Sequence, residues 1–102
     1  ALEFMLLLKR LNEEGTTVVV VEHRVDMVAP LASRVIVMNK GRIVDEGDPR
    51  EVFSRDKVYE IGVSTPKVSL IARLLEREGL SLNMMPLTVE ELVSELAEVI
   101  KR

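Results

Sequence analysis

The only histidine of the chain, His23, lies one residue after a run of four valines. Glu22 precedes it, and Arg24 and Asp26 follow closely. A neutral imidazole can donate a hydrogen bond to a phosphate oxygen. Because open parallel sheets bind ligands at the carboxyl ends of their strands, His23 is a candidate phosphate contact. The alternative is a strand-end histidine with an ordinary surface role.

Other site chemistries are less well supported by the residues. A metal site needs several ligands, and His23 with Glu22 and Asp26 is too few unless a partner supplies more. A nucleophilic triad would need a hydroxyl with suitable spacing, which neither Thr17 nor Ser33 has. Glu22 could act as a general base, although a charged residue at a strand end is usually its solvated edge. The absence of cysteine excludes disulfides and thiolate chemistry.

The composition is that of one small globular domain. The chain has 102 residues, of which 47% are hydrophobic, and its net charge is −3. Basic residues are scattered among acidic ones, so the basic stripe of a nucleic-acid-binding protein is missing. No apolar run approaches the roughly 18 residues of a membrane-spanning helix, and no signal-peptide pattern opens the chain.

The first half of the chain alternates helical and strand patterns. We predict helices over 1–14 and 24–31, and strands over 16–22, 34–39 and 42–46. The 16–22 stretch is β-branched and does not alternate, which is typical of a strand buried on both faces in a parallel sheet. Asn39-Lys40-Gly41-Arg42 predicts a tight turn, so the last two strands form an antiparallel hairpin.

These elements do not form a closed structure. A strand buried on both faces needs a layer above and below it, and one long helix covers only one face. No capping residue precedes the first helix, which is in full helical pattern from its first residue. We therefore expect a partner layer from further chain or from another protein, and we favour a segment that has been removed upstream.

The second half is helical. Asp48 and Pro49 predict a short helix that ends near residue 55, and 56–63 is a connecting segment without a clear pattern. A helix follows over 66–78. Thr88 with Glu91 forms a capping box that opens the last helix.

The final helix carries an apolar stripe that is a candidate interface, made of Val89, Leu92, Val93, Leu96 and Ile100. The alternative is that this stripe packs within the chain against the 66–78 helix. The predicted fold class is thus α/β, with an α/β portion over 1–55, a linker over 56–64 and a helical extension over 65–102 that could serve dimerisation.

A family resemblance covers about half the chain. The stretch LLKRLNEEGTTVVVVEHRVDMVAPLASRVIVMNKGRIVDEGDPREVF, residues 7–53, resembles the last part of an ABC-transporter ATP-binding subunit. The order and spacing of its elements together carry the resemblance. TPKVSLIARLLEREGL and PLTVEELVSEL further resemble the helical extension of the energy-coupling-factor and cobalt or nickel importer ATPases.

The resemblance implies a role for His23. In the family, the matching residue is the switch histidine, which contacts the γ-phosphate of ATP and helps to position the attacking water. A pre-placed donor at a developing phosphoryl charge stabilises the transition state, which agrees with that role. Relatives often have Thr or Ser before this histidine and Asp after it, whereas this chain has Glu22 and Arg24.

The resemblance also implies a larger protein. The chain has no G-x-x-x-x-G-K-[ST] loop, no LSGGQ-type signature and no apolar strand that ends in Asp-Glu. We therefore expect the C-terminal part of a P-loop NTPase domain, with short parallel strands, a hairpin and a small helical extension. We also expect the isolated chain neither to bind ATP tightly nor to hydrolyse it.

The intact parent would bind ATP and Mg²⁺ and power an importer of a metal ion such as cobalt or nickel, or of a vitamin. Its partners would be the rest of the ATPase, a second ATPase subunit and transmembrane transporter subunits, without nucleic acid. These would hold it on the cytoplasmic face of the membrane. The competing hypothesis is an autonomous helical interaction module without catalysis.

Overall fold

A computed structural model describes residues 2–101 and combines helices with one β-hairpin. Its elements, in chain order, are α1 (Leu2–Glu13), α2 (Val25–Val28), β1 (Val35–Asn39), β2 (Arg42–Gly47), α3 (Pro49–Val52), α4 (Asp56–Glu60), α5 (Lys67–Arg77) and α6 (Val89–Ile100). The predicted mixture of helices and strands is therefore confirmed.

The hairpin forms where the turn residues predicted it. β1 and β2 pair antiparallel, and Asn39 lies opposite Arg42. Lys40 has φ 53° and Gly41 has φ 76°, the left-handed pair that a two-residue hairpin turn with the twist of its strands requires. The register shifts between Val37 and Met38, which adds one residue to β2 as a β-bulge.

The predicted strand over 16–22 is wrong for the described chain. These residues run without ladder pairing, and among residues 2–101 the described strands β1 and β2 pair only with each other. Val21 is 94% exposed and Val19 is also exposed, so the segment is not buried on both faces. β-branched side chains favour an extended backbone, but a strand also needs a neighbour for its N–H and C=O groups. The described residues place none beside it, and they contain no parallel strand pair.

One hydrophobic core joins both halves of the chain. Its buried members are Ala29, Val37, Val52, Phe53, Val58 and Leu87. Ala29 follows α2, Val37 lies on β1, and Leu87 comes from the segment before α6. The core therefore connects the hairpin with the helical extension.

The segment predicted as a linker takes part in this core. Residues 56–60 form α4, and Val58 on this helix is fully buried. The Tyr59 hydroxyl donates a hydrogen bond to the Phe53 carbonyl oxygen at 2.7 Å. No clear pattern marks this helix in the sequence, because α4 is only five residues long and its N-cap, Arg55, makes no side-chain cap. The division into domains at 55 and 65 stays a prediction.

The helix starts follow their capping residues. The Asp48 carboxylate accepts a hydrogen bond from Arg50 N at 2.9 Å at the start of α3. The Thr88 hydroxyl accepts one from Glu91 N at 3.1 Å at the start of α6. Both predicted caps are thereby confirmed.

Helix α5 buries only some of its apolar residues. Val68, Ser69 and Ala72 are buried, whereas Ile71 and Leu74 are exposed. The buried hydroxyl of Ser69 donates to the Pro86 carbonyl oxygen at 2.7 Å. This bond fixes α5 to the segment that leads into α6 and satisfies a polar group inside the protein.

Candidate functional site

His23 lies at the end of the extended segment, just before α2. Its side chain is exposed. Its ring nitrogens have no hydrogen-bond partner within residues 2–101. The imidazole therefore has both ring nitrogens available to donate to or accept from a ligand.

Glu22 holds the backbone around the histidine. Its Oε1 accepts hydrogen bonds from His23 N at 2.9 Å and from Arg24 N at 3.1 Å. The Arg24 guanidinium pairs with the second carboxylate oxygen, Nη2 to Oε2, at 3.2 Å. The Arg24 side chain, followed by these backbone bonds, lowers the pKa of Glu22 to about 2.

This arrangement argues against Glu22 as a general base. A base that works near neutral pH needs a pKa close to the working pH, and a pKa of about 2 is far below it. Both carboxylate oxygens also have partners: Oε1 accepts from the backbone N–H groups of the next two residues, and Oε2 pairs with the Arg24 guanidinium. Its role in this structure is to shape the turn that presents His23.

Asp26 connects the histidine segment to the helical extension. Val25 N donates to the His23 carbonyl oxygen at 3.0 Å as the chain enters α2. On the same short helix, Asp26 Oδ1 accepts a hydrogen bond from Lys67 N at 2.7 Å, at the start of α5. This contact is not predicted by any pattern in the sequence. Nothing local marks it, because the partners are 41 residues apart.

A second carboxylate with a structural role is Asp45 on β2, which is only 7% exposed. Its Oδ1 accepts from Arg55 Nη1 at 2.7 Å, and Lys57 Nζ lies 3.5 Å from the same oxygen. Arg55, as the largest contributor, keeps the pKa of Asp45 below its ordinary value. Oδ2 is buried without a partner in the described part of the chain. These contacts hold the hairpin against the start of α4.

The apolar stripe of α6 is divided between the interior and the surface. Leu92 is buried and Leu96 is half-buried. Val89, Val93 and Ile100 are exposed, with Ile100 at 81%. The stripe therefore combines intramolecular packing with an uncovered apolar face, and the interface itself stays a prediction.

Two further features bear on the kind of site. Across residues 2–101, no group of three or more His, Cys, Asp or Glu side chains could hold a metal ion. None of the described helices has the length and apolar character needed to cross a membrane.

Comparison with known proteins gives close relatives for nearly the whole chain. The chain is 42% identical over 99 residues to the energy-coupling factor transporter ATP-binding protein EcfA1 of Clostridioides difficile strain 630. It is 38% identical over 96 residues to EcfA2 of Streptococcus pneumoniae serotype 2 strain D39, and 41% identical over 97 residues to EcfA2 of Streptococcus thermophilus LMD-9. No protein-family model matches the chain.

The matches cover most of this chain but only part of each relative. They span 95% of this chain and 35% of the C. difficile protein, and 92% of this chain and 34% of each streptococcal protein. The chain thus spans about a third of the length of these relatives. The resemblance seen in the sequence is confirmed: the chain matches part of an ABC ATPase subunit of the energy-coupling factor transporter type.

Proposed function

We propose that this chain is the switch-histidine region and helical extension of an ATP-hydrolysing subunit that powers an importer of the energy-coupling factor type. The substrate would be a vitamin or a metal ion such as cobalt or nickel. The observation that carries the proposal is the 37–42% identity to such ATP-binding proteins over about 95% of the chain. Residues 1–55 would then complete an ABC ATPase domain of the P-loop NTPase class.

The residues present fit a nucleotide phosphate. His23 offers an exposed ring without a protein partner in the described chain, on a backbone that Glu22 holds in place. ATP with Mg²⁺ would supply the phosphoryl group that is transferred to water. His23 would donate a hydrogen bond to the γ-phosphate, stabilise the charge that develops there and help to position the attacking water.

The remaining catalytic parts would come from outside this sequence. It contains no phosphate-binding loop, no signature motif and no Asp-Glu strand end for Mg²⁺. We therefore expect the isolated chain to be inactive and to bind ATP weakly. The exposed valines at 19 and 21 are apolar surface that the rest of the domain would cover.

The helical extension would pair two ATPase subunits. Its candidate contacts are Val89, Val93 and Ile100, which are exposed, with Leu96 at the edge and Leu92 supporting the helix from inside. Transmembrane transporter subunits would bind the paired ATPases and hold them at the cytoplasmic face of the membrane. Nucleic acid is not expected as a partner.

The test is steady-state ATP hydrolysis by the complete subunit that contains this chain. We expect His23→Ala to lower kcat roughly a hundredfold, the typical cost of removing one donor from a developing oxyanion. The matched control is Arg34→Ala, which removes an exposed cation paired with Glu46 on the hairpin. A His23→Ala variant that keeps the wild-type kcat would contradict the proposal.

A second hypothesis draws on the exposed face of α6. An autonomous interaction module would pair through Val89, Val93 and Ile100 without any catalysis. It predicts that Val93→Glu abolishes pairing of the chain and that no ATPase activity depends on His23. The kinetic test above therefore separates the two hypotheses.

A further inference from the structure

Asp26 caps a helix that is remote from it in the sequence. Its Oδ1 accepts a hydrogen bond from Lys67 N at 2.7 Å. Lys67 is the first residue of α5, and the preceding Pro66 makes no side-chain cap. The first turn of α5 has no acidic residue of its own. Asp26 thus supplies, from α2, the carboxylate that a helix N-terminus favours.

The start of α5 is a fixed point in the structure. Pro66 is fully buried, and so is Ser69, whose hydroxyl bonds to the Pro86 carbonyl oxygen at 2.7 Å. Further along the helix, Arg73 donates to the Ser54 carbonyl oxygen at 2.9 Å. A group that binds the first amide of α5 is therefore held against the core of the protein.

On the other side, Asp26 is only three residues from His23. Within this short stretch, Val25 N donates a hydrogen bond to the His23 carbonyl oxygen. The Glu22 carboxylate accepts hydrogen bonds from the His23 and Arg24 amides. Among residues 2–101, the 16–22 segment before the histidine pairs with no strand and is largely exposed. Within the described chain, the Asp26 contact is thus the nearest link from the histidine to the anchored helices.

We propose that Asp26 is a positioning residue for His23, because its bond to the start of α5 holds the histidine segment in place. The inference rests on the proposed function and gives the helical extension a part in placing the phosphate-contacting imidazole. The competing explanation is a cap that only stabilises the fold.

The experiment measures kcat and KM for ATP in the complete subunit. Asp26→Ala is expected to lower kcat roughly tenfold with KM nearly unchanged, because a displaced group loses transition-state contact. Asp26→Asn keeps an oxygen that can accept the Lys67 N–H and should restore most of kcat. If Asp26→Ala does not fold, Asp26→Glu displaces the oxygen and should lower kcat severalfold. An unchanged kcat in Asp26→Ala, or in Asp26→Glu where that variant replaces it, would overturn the inference.

Asp48→Ala is the matched control, because it removes another cap carboxylate, from the Arg50 amide at the start of α3. It should lower stability while kcat per folded molecule stays within about twofold of wild type. If Asp26→Ala and Asp48→Ala lower kcat equally, Asp26 is only a structural cap.

The double variant His23→Ala/Asp26→Ala separates the inference from the proposed function. If Asp26 acts through the histidine, its loss adds no further decrease in kcat once His23 is gone. If Asp26→Ala lowers kcat in the His23→Ala background by as much as it does in the wild type, the inference is overturned and the proposed function stands. If His23→Ala alone leaves kcat unchanged, the proposed function fails and the inference fails with it.

Discussion

Arg50 on α3 and Glu91 on α6 form a bidentate ion pair, although they lie 41 residues apart in the sequence. Nη1 lies 2.9 Å from Oε1, and Nη2 lies 2.7 Å from Oε2. Arg50 Nη1 also donates to the Met85 carbonyl oxygen at 2.8 Å, and Glu91 Oε1 accepts from Leu87 N at 2.8 Å. One ion pair thus joins the α/β portion to the last helix and orders the segment between α5 and α6.

The first prediction concerns the strength of this pair. Arg50→Ala should lower the free energy of unfolding by about 1–3 kcal/mol, because it leaves the Met85 carbonyl and the Glu91 carboxylate without a charged partner. In a double-mutant cycle with Glu91→Ala, urea unfolding should give a coupling of about 1 kcal/mol, since both side chains are partly exposed. Additive single effects would show that the two residues stabilise the chain independently.

The second prediction is the pH dependence of the same contact. The Arg50 guanidinium, followed by backbone N–H donors, lowers the pKa of Glu91 in the folded protein below its ordinary value of 4.5. The stabilisation is therefore fully present above the unfolded-state value and is lost as the pH falls through the folded-state pKa. The difference in unfolding free energy between wild type and Glu91→Gln should stay constant from neutral pH down to about 5.5, then shrink.

The control for the pH experiment is Glu90→Gln, whose exposed carboxylate makes no ion pair within residues 2–101. Its difference from wild type is subtracted from that of Glu91→Gln, because each variant removes one carboxylate from the first turn of α6. A Glu91→Gln difference that grows on acidification would contradict the assigned sign.

The third prediction contrasts the two phenylalanines of the chain. Phe53 is 1% exposed in the core, whereas Phe4 on α1 is 60% exposed. Phe53→Ala should lower the free energy of unfolding by about 3–5 kcal/mol through lost burial and a cavity. Phe4→Ala should change it by about 0.5 kcal/mol or less. Thermal unfolding of both variants checks this, and equal losses would place α1 in the core instead of at the surface.

The fourth prediction concerns the hairpin turn. Lys40 adopts φ 53°, where Asn is better tolerated than Lys, so Lys40→Asn should stabilise the chain by about 0.5–1 kcal/mol. A Cβ at Gly41 would meet nothing within 4 Å, so Gly41→Ala is opposed only by the φ of 76°. It should cost about 1–2 kcal/mol. If both changes were neutral in urea unfolding, the turn would not have this conformation.

Local chemistry made part of this structure predictable. The structure contains the predicted turn at Asn39–Arg42 and the helix caps at Asp48 and Thr88. Each of these features depends on residues that are only a few positions apart in the sequence. The 16–22 stretch shows the limit of such reasoning. Its valines favour an extended backbone, but strand formation depends on a neighbour that the described residues do not provide.

Long-range contacts were outside the reach of the sequence patterns. Asp26 looked like a neighbour of His23, and its partner is the first amide of a helix 41 residues away. Val58 lies in a segment without helical periodicity, yet it is fully buried. On α6, the apolar stripe was visible, but only the packing of Leu92 distinguishes its inward side from its exposed side. His23 itself was identified from its residue type at the end of a predicted strand, together with the family resemblance.

The proposed role of His23 is tested directly by single-turnover hydrolysis of radiolabelled ATP by the complete subunit with Mg²⁺, for wild type and His23→Ala. We expect the variant to bind ATP with nearly unchanged affinity and to retain it as the triphosphate, with the hydrolysis step slowed roughly a hundredfold. Hydrolysis of bound ATP by His23→Ala at the wild-type rate would show that His23 has no part in the hydrolysis step.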